Sequence, residues 1–347
     1  MGTTSDSQSP ELAELANPER LASYIASRLG TPVYPLELEG QAKSGSSNIT
    51  LFVRWHDERW VLRRPPSGPL LPTSHDMLRE FKFLKALEGT NVRVPVPILA
   101  CDDASIIGTP FYLMKRVDGV LLQDGQPPEL QTPAARAAVC ESAIDALAAI
   151  HAVDWSSRGL TDRGEPYIQR QIRRWSRQLE LTATRGRVAG LEKVAGWLAE
   201  RMPPPASPTI VHGDFGLHNM ILSASPPPRV LAVLDWEMAT IGDPIADVIW
   251  FLRGWGVWPS RNPANELPSL PGALSEDEMV ARYEAVTGRQ VEDRLFYEVF
   301  SSWKGAVILE GLYASYLEGN AANESVARFE YEVPEAVANL LELVSLN

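Results

Sequence analysis

Residues 211–250 read VHGDFGLHNMILSASPPPRVLAVLDWEMATIGDPIADVIW. A short apolar run leads into His212-Gly213-Asp214, and Asn219 follows five residues after the aspartate. A second apolar run, Val230 to Leu234, ends in Asp235. Two carboxylates and an amide at strand ends are the groups that phosphoryl transfer needs. One orients a hydroxyl and accepts its proton, and two hold magnesium through hard oxygens. A lone His-Gly-Asp is a turn as readily as a site. Asn219 and Asp235, in this order and spacing, favour the site.

The pattern H-G-D-x-x-x-x-N is close to the kinase catalytic loop H-R-D-x-x-x-x-N, and Asp235-Trp236-Glu237 stands where a kinase has D-F-G. Asp214 is then the expected catalytic base, with Asn219 and Asp235 as the metal ligands. His212, Glu237 and Asp247 are expected to support the site. Glu237 can approach the metals or face the substrate. Asp243 before Pro244 is a helix N-cap arrangement, and Asp247, one turn in, is placed to brace the catalytic-loop backbone.

Working outward, Asn17-Pro18 opens a helix that Gly30 closes. Strands are expected at 33–39, 49–55 and 60–64, the last two as a hairpin, then a helix at about 75–87 and strands at 98–101 and 111–117. That β-β-β-α-β-β order is the order of a kinase small lobe. The segment GQAKSGSSNIT, 40–50, can cradle phosphate through backbone N–H groups of Gly45, Ser46, Ser47 and Asn48. Taken alone it is equally a plain turn. It is not a Walker motif, because Ser46 replaces the lysine and a strand follows. Arg63 occupies the phosphate-binding position on the third strand, and Glu80 on the next helix is its expected partner. Met114 would flank adenine, while the Lys115 carbonyl and Val117 N–H would hold it.

Beyond Gly119 and the proline-rich stretch 126–133 the chain reads as mostly helical, with helices at 134–151, 165–181, 188–201, 243–253, 275–287, 292–318 and 334–345. The fold class is therefore α+β: a bilobal, protein-kinase-like fold with a small β-sheet lobe and a larger helical lobe. The expected division is a polar tail at 1–16, a nucleotide-binding lobe at 17–117, and a catalytic and substrate-binding lobe at 118–347. Arg170, Arg173, Arg174 and Arg177 share one helical stripe, opposite Ile168, Ile172, Trp175 and Leu179. That face is either a substrate anion site or a solvated surface with glutamate partners. Ser301 and Lys304 fit S-x-x-K, but the companion β-lactamase motifs are absent.

A net charge of −12 argues against a nucleic-acid partner. No apolar run reaches the ~18 residues of a membrane span, and the polar N-terminus, with Asp6 where a myristoylation motif needs Ser or Thr, lacks a secretory pattern. A cytoplasmic protein without membrane attachment is expected. Cys101 and Cys140 have no metal-ligand spacing.

VHGDFGLHNMIL and VLDWEMATIGDPIADV are specific motifs, and from about residue 17 to 318 the chain resembles the aminoglycoside phosphotransferase family. Within it, WVLRRPPSGPLLPTSHDMLREF, GTPFYLMKRVDG and RQIRRW are most similar to the kinase domains associated with acyl-CoA dehydrogenases, which are implicated in phosphorylating hydroxyacyl-CoA substrates. The resemblance implies ATP or GTP, Mg2+, Asp214 as base, and Asn219 and Asp235 as ligands. It also suggests a functional link to an acyl-CoA dehydrogenase. Arg63 departs from the usual Lys, and Lys115 stands where an acidic residue is common. The expected activity moves the γ-phosphoryl of ATP or GTP to a small-molecule hydroxyl, with a hydroxyacyl-CoA or related anionic compound favoured. An aminoglycoside or macrolide kinase, and a silent nucleotide- or CoA-ester-binding protein, are the alternatives.

Overall fold

In the computed structural model, six strands form one antiparallel sheet in the order β1-β2-β3-β4-β6-β5. They are β1 (Thr3–Thr4), β2 (Leu36–Ala42), β3 (Ile49–Trp55), β4 (Glu58–Arg64), β5 (Pro97–Cys101) and β6 (Phe111–Lys115). The structure describes residues 3–4, 10–42, 48–66, 76–122, 127–182, 188–255, 266–319 and 324–346. Gly45, Ser46 and Ser47 lie outside them. β2 starts three residues later than expected, just after Pro35, whose nitrogen cannot join a ladder. β3 and β4 pair in unbroken register across a turn at His56, which adopts φ 53°.

One face of the sheet is covered by α1 (Pro10–Ala16) and α2 (Pro18–Leu29). Leu12, Leu21 and Ile25 there join a core with Leu51, Val53, Leu62 and Leu113. α2 is fixed by Pro18 in its first turn and by Gly30, whose φ of 66° closes the helix. The expected polar tail is thus incorrect over residues 10–16: Leu12 and Ala16 are buried, and packing orders a helix too short to form alone. The other face carries α3 (Met77–Leu87), capped by the Asp76 side chain, and merges with the core of the helical lobe.

That lobe contains α4 (Pro133–His151), α5 (Tyr167–Thr182), α6 (Val188–Glu200), α7 (Pro244–Leu252), α8 (Glu276–Thr287), α9 (Arg294–Leu317) and α10 (Phe329–Ser345). α10 starts before the expected Pro334, which falls inside it. Two small hairpin-like pairs are set among the helices: β7 (Thr209–Val211) with β10 (Thr240–Gly242), and β8 (Met220–Leu222) with β9 (Val230–Val233). The joint between lobes is tied to β8 by two hydrogen bonds of 2.8 Å between Val120 and Leu222. Gly119 must be small there, since a Cβ would lie 2.4 Å from the Leu222 carbonyl oxygen. Among the described residues, no helix is long and apolar enough to cross a membrane.

Candidate active site

β7 delivers His212, Gly213 and Asp214 at its end. Gly213 has φ 85°, a conformation that suits glycine. The backbone N–H groups of His212 and Gly213 donate to the two carboxylate oxygens of Asp247 at 2.5 and 2.8 Å. Asp247 is buried in the first turn of α7. The His212 ring lies between the Asp214 N–H, 3.3 Å from Nδ1, and the Leu234 carbonyl, 2.9 Å from Nε2. A backbone N–H can only donate and a carbonyl can only accept, so the ring proton is on Nε2.

Asp214 is held at both oxygens. Oδ1 accepts from Trp250 Nε1 at 3.1 Å. Oδ2 accepts from Asn219 Nδ2 at 3.2 Å and faces His218 Nε2 at 3.5 Å. Burial pushes this carboxyl up, but the opposing pull of His218 and then Lys304 holds it well below the ordinary carboxylate range.

Asn219 also donates to the Asp214 carbonyl at 2.9 Å, so its amide oxygen is the end left to face a cation. The Leu234 N–H donates to the Asn219 carbonyl at 2.8 Å, setting Asn219 and Asp235 at the same end of the β8–β9 hairpin. Asp235 adopts φ 66° and ψ 64°, a left-handed conformation that aspartate tolerates. It turns the chain so that Oδ1 lies 3.4 Å from Arg63.

Arg63, on β4, bridges Asp235 and Glu80 of α3, both at 3.4 Å. Burial opposes the guanidinium charge, and the Glu80 carboxylate holds it, shifting its pKa upward. Glu80 itself is pushed up by burial, against the pull of Arg63. Asn48, the last residue of the serine-rich loop and buried, donates to Glu237 at 3.1 Å. Met114 is buried on β6, and the Lys115 N–H is taken by the Val96 carbonyl. The Lys115 side chain pairs with Glu58. Val117 N–H has no backbone carbonyl partner among the described residues.

The arginine stripe of α5 is not one surface. Arg170 is buried and donates to the Glu165 and Ile241 carbonyls, both at 3.0 Å, so it is a structural cross-brace and not an open anion ligand. Arg173 forks onto the Glu165 carboxylate. Arg174 and Arg177 remain exposed. Burial lowers the pKa of Arg174 most, Tyr167 opposes that and Arg163 adds to it, while Arg79 is lowered by burial and then by Arg163.

Five residues near the site had no role assigned to them from the sequence: Arg79, His218, Trp250, Arg253 and Lys304, the last noted only for its S-x-x-K spacing with Ser301. Arg79 donates to the Glu237 carbonyl at 2.8 Å and to the Ala239 carbonyl, clamping the segment after Asp235. Lys304 is buried, donates to the Gly213 carbonyl at 2.8 Å, and lies 3.7 Å from the Trp250 ring centroid. A signal for it existed: Phe296, Phe300 and Lys304, at i, i+4 and i+8, put a cation on the apolar stripe of α9.

The sequence profile of the phosphotransferase enzyme family matches residues 40–283. The chain belongs to this family. It is 36% identical over 332 residues to acyl-CoA dehydrogenase family member 10 of Mus musculus, covering 93% of this chain and 30% of the relative. It is 37% identical over 314 residues to acyl-CoA dehydrogenase family member 11 of Gallus gallus, covering 87% of this chain and 40% of that one. The chain thus spans well under half of these relatives. Among solved structures, a Ralstonia eutropha protein with a provisional aminoglycoside phosphotransferase name superposes with a TM-score of 0.81 at 32% identity, covering 94% of this chain and 98% of that one. Aminoglycoside phosphotransferase APH(4)-Ia, bound to AMP-PNP and hygromycin B, shares the fold at a TM-score of 0.59 and 16% identity, covering 93% and 98%.

A phosphotransferase of this kind implies magnesium and a nucleotide, and the residues fit both. The hard oxygens of Asn219 and Asp235 suit magnesium, which takes few protein ligands. Among the described residues no cluster of three His, Cys, Asp or Glu could hold a metal unaided. The buried Arg63 Nε has no hydrogen-bond partner, as befits a guanidinium awaiting a phosphate oxygen.

Proposed function

We propose that this chain is a magnesium-dependent kinase that moves the γ-phosphoryl of ATP or GTP to a small-molecule hydroxyl, with a hydroxyacyl-CoA or related anionic hydroxy compound as favoured acceptor. The observation that carries the reading is the Asp214 carboxylate held at both oxygens, with Asn219 and Asp235 at one hairpin end beside it and Arg63 opposite. Magnesium, when bound, neutralises charge on the transferring phosphoryl group. Arg63, positioned by Glu80, binds phosphate, and Asn48 closes the loop side through Glu237. Asp214 stays ionised, so its first task is to orient the hydroxyl by accepting its hydrogen bond. Proton transfer comes late, as a loose phosphoryl transition state allows.

An anionic acceptor is supported by the cations around the carboxylate: Lys304 and Arg253 near Asp214, and Arg174 further along α5. The names of the related proteins agree, since both are called acyl-CoA dehydrogenase family members. One feature favours the antibiotic reading. A cavity of about 520 Å³ among α7–α10 is rimmed by Glu276, Glu298, Glu332 and Glu335. Arg294 pairs with the first two of these and Arg328 with the third, which leaves little charge for a polycation.

The test is magnesium-dependent ATP consumption across hydroxyacyl-CoAs, their free acids, aminoglycosides and macrolides, with Asp214→Ala as control. Turnover on a hydroxyacyl-CoA that vanishes in the mutant supports the proposal. Turnover only on an antibiotic overturns the acceptor assignment.

A further inference from the structure

We propose that Lys304 is a positioning residue that, through Trp250 and the Gly213 carbonyl, locks the Asp214 carboxylate in the rotamer that meets the acceptor hydroxyl. The inference rests on the kinase reading of Asp214 given above. Asp214 Oδ2 has the Asn219 amide, but Oδ1 relies on Trp250 Nε1 at 3.1 Å. Without that bond the carboxylate is anchored on one side and can turn about its terminal torsion, which has a broad energy well.

Trp250 is itself held by charge. Lys304 Nζ lies 3.7 Å from its ring centroid and Arg253 Cζ 3.8 Å from it. Cations against an aromatic face are attracted by its quadrupole, more strongly where water is excluded. They also draw electron density from the ring, which makes the indole N–H a better donor to Asp214. The next residue along α9 is fitted to the arrangement: a Cβ on Gly305 would lie 2.3 Å from Arg253 Nη1, so only glycine leaves the guanidinium its place.

The same ammonium donates to the Gly213 carbonyl at 2.8 Å. Lys304 therefore fixes both the peptide preceding Asp214 and the partner of its side chain. It is 4% exposed, and among the described residues no carboxylate lies within ion-pair distance of it. A buried ammonium without a paired carboxylate is destabilising, and methionine would fill the same volume without that penalty. The charge at this position therefore serves the site and not the packing.

The test compares Lys304→Met, Lys304→Arg, Trp250→Phe and Asp214→Ala in magnesium-ATP turnover, with water as the acceptor and then with a hydroxyacyl-CoA. Lys304→Met and Trp250→Phe are expected to lower kcat about 10- to 100-fold, the scale of a misplaced catalytic group. Their KM for magnesium-ATP should stay within about twofold, since nucleotide is held elsewhere. Lys304→Arg, which keeps the charge, should recover most of the loss. Wild-type kcat in Lys304→Met and Trp250→Phe, with Asp214→Ala inactive, would overturn the positioning role alone. So would equal losses in Lys304→Met and Lys304→Arg that follow their thermal stability. If Lys304→Met does not fold, Trp250→Phe decides the role. Equal ATP turnover by wild type and Asp214→Ala would overturn the kinase reading itself.

Discussion

At the residue scale, the site separates holding a charge from using it. Asp214 is kept ionised by its neighbours, so Asp214→Ala is expected to lower kcat by ~100-fold or more while the protein still folds, with a melting temperature lowered by the loss of the bonds from Trp250 and Asn219. Stopped turnover measurements and a thermal melt check both halves. Lys304 titrates in an accessible range, at about 8. Burial lowers it most, Asp214 and Asp247 oppose that, and Arg253 and Arg174 add to it. As pH rises through 8 the ammonium is lost and kcat should fall. Stability should move the other way. Between pH 8 and the ordinary lysine range the unfolded chain binds this proton and the folded one does not, so this group's contribution to folding stability rises with pH. A pH–rate profile run beside urea melts at each pH would separate the two. A kcat decline caused by unfolding would refute the assignment.

At the element scale, two braces set the catalytic segments. Asp247 of α7 receives two buried backbone N–H groups, and charge-assisted bonds of this type are each worth roughly 1.5–3 kcal/mol. Asp247→Ala leaves both donors unmet and is expected to lower unfolding free energy by about 3 kcal/mol or more, measured by denaturant titration. Arg79 of α3 clamps the carbonyls that follow Asp235. Arg79→Met should raise the magnesium concentration for half-maximal turnover about tenfold, the scale seen when a metal ligand loses its support. An unchanged magnesium requirement would rule the clamp out.

These elements were unequally legible. Helices such as α4 and α9 were readable because their length and apolar content leave little choice. β2 was shifted by the proline before it. α1 was hidden because PELAELA shows no stripe long enough to declare itself, and only docking of Leu12 and Ala16 on the sheet orders it. Arg170 and Arg173 share a periodicity with Arg174, but periodicity cannot say which arginine meets the Ile241 carbonyl. The clustering of Asp214, Asn219 and Asp235 was legible because local spacing carries it. Trp250 and Lys304 reach Asp214 across 36 and 90 positions, and only the packed helices bring them there.

At the scale of the whole molecule, the sheet and the helical lobe meet at Arg63, Glu80 and Asp235, so the cation proposed to bind phosphate and a carboxylate proposed to hold magnesium come from opposite sides. Losing Arg63 should therefore be felt in nucleotide binding far more than in acceptor binding. Arg63→Met is expected to raise KM for magnesium-ATP about tenfold or more, as loss of a charged phosphate contact does, with KM for the acceptor nearly unchanged. Steady-state kinetics with each substrate varied in turn would decide this.

The Val120–Leu222 bridge ties that meeting point to the joint. Leu222 ends the strand that begins one residue after Asn219, so the connector and the amide proposed to hold magnesium sit on a single three-residue lever. A swing of the small lobe about this connector would tug on the metal seat before any side chain in the cleft had moved. The amide hydrogens of Val120 and Leu222 would then exchange with solvent deuterium at one shared rate, slowed together once magnesium and nucleotide are bound. Metal occupancy would be audible at the hinge.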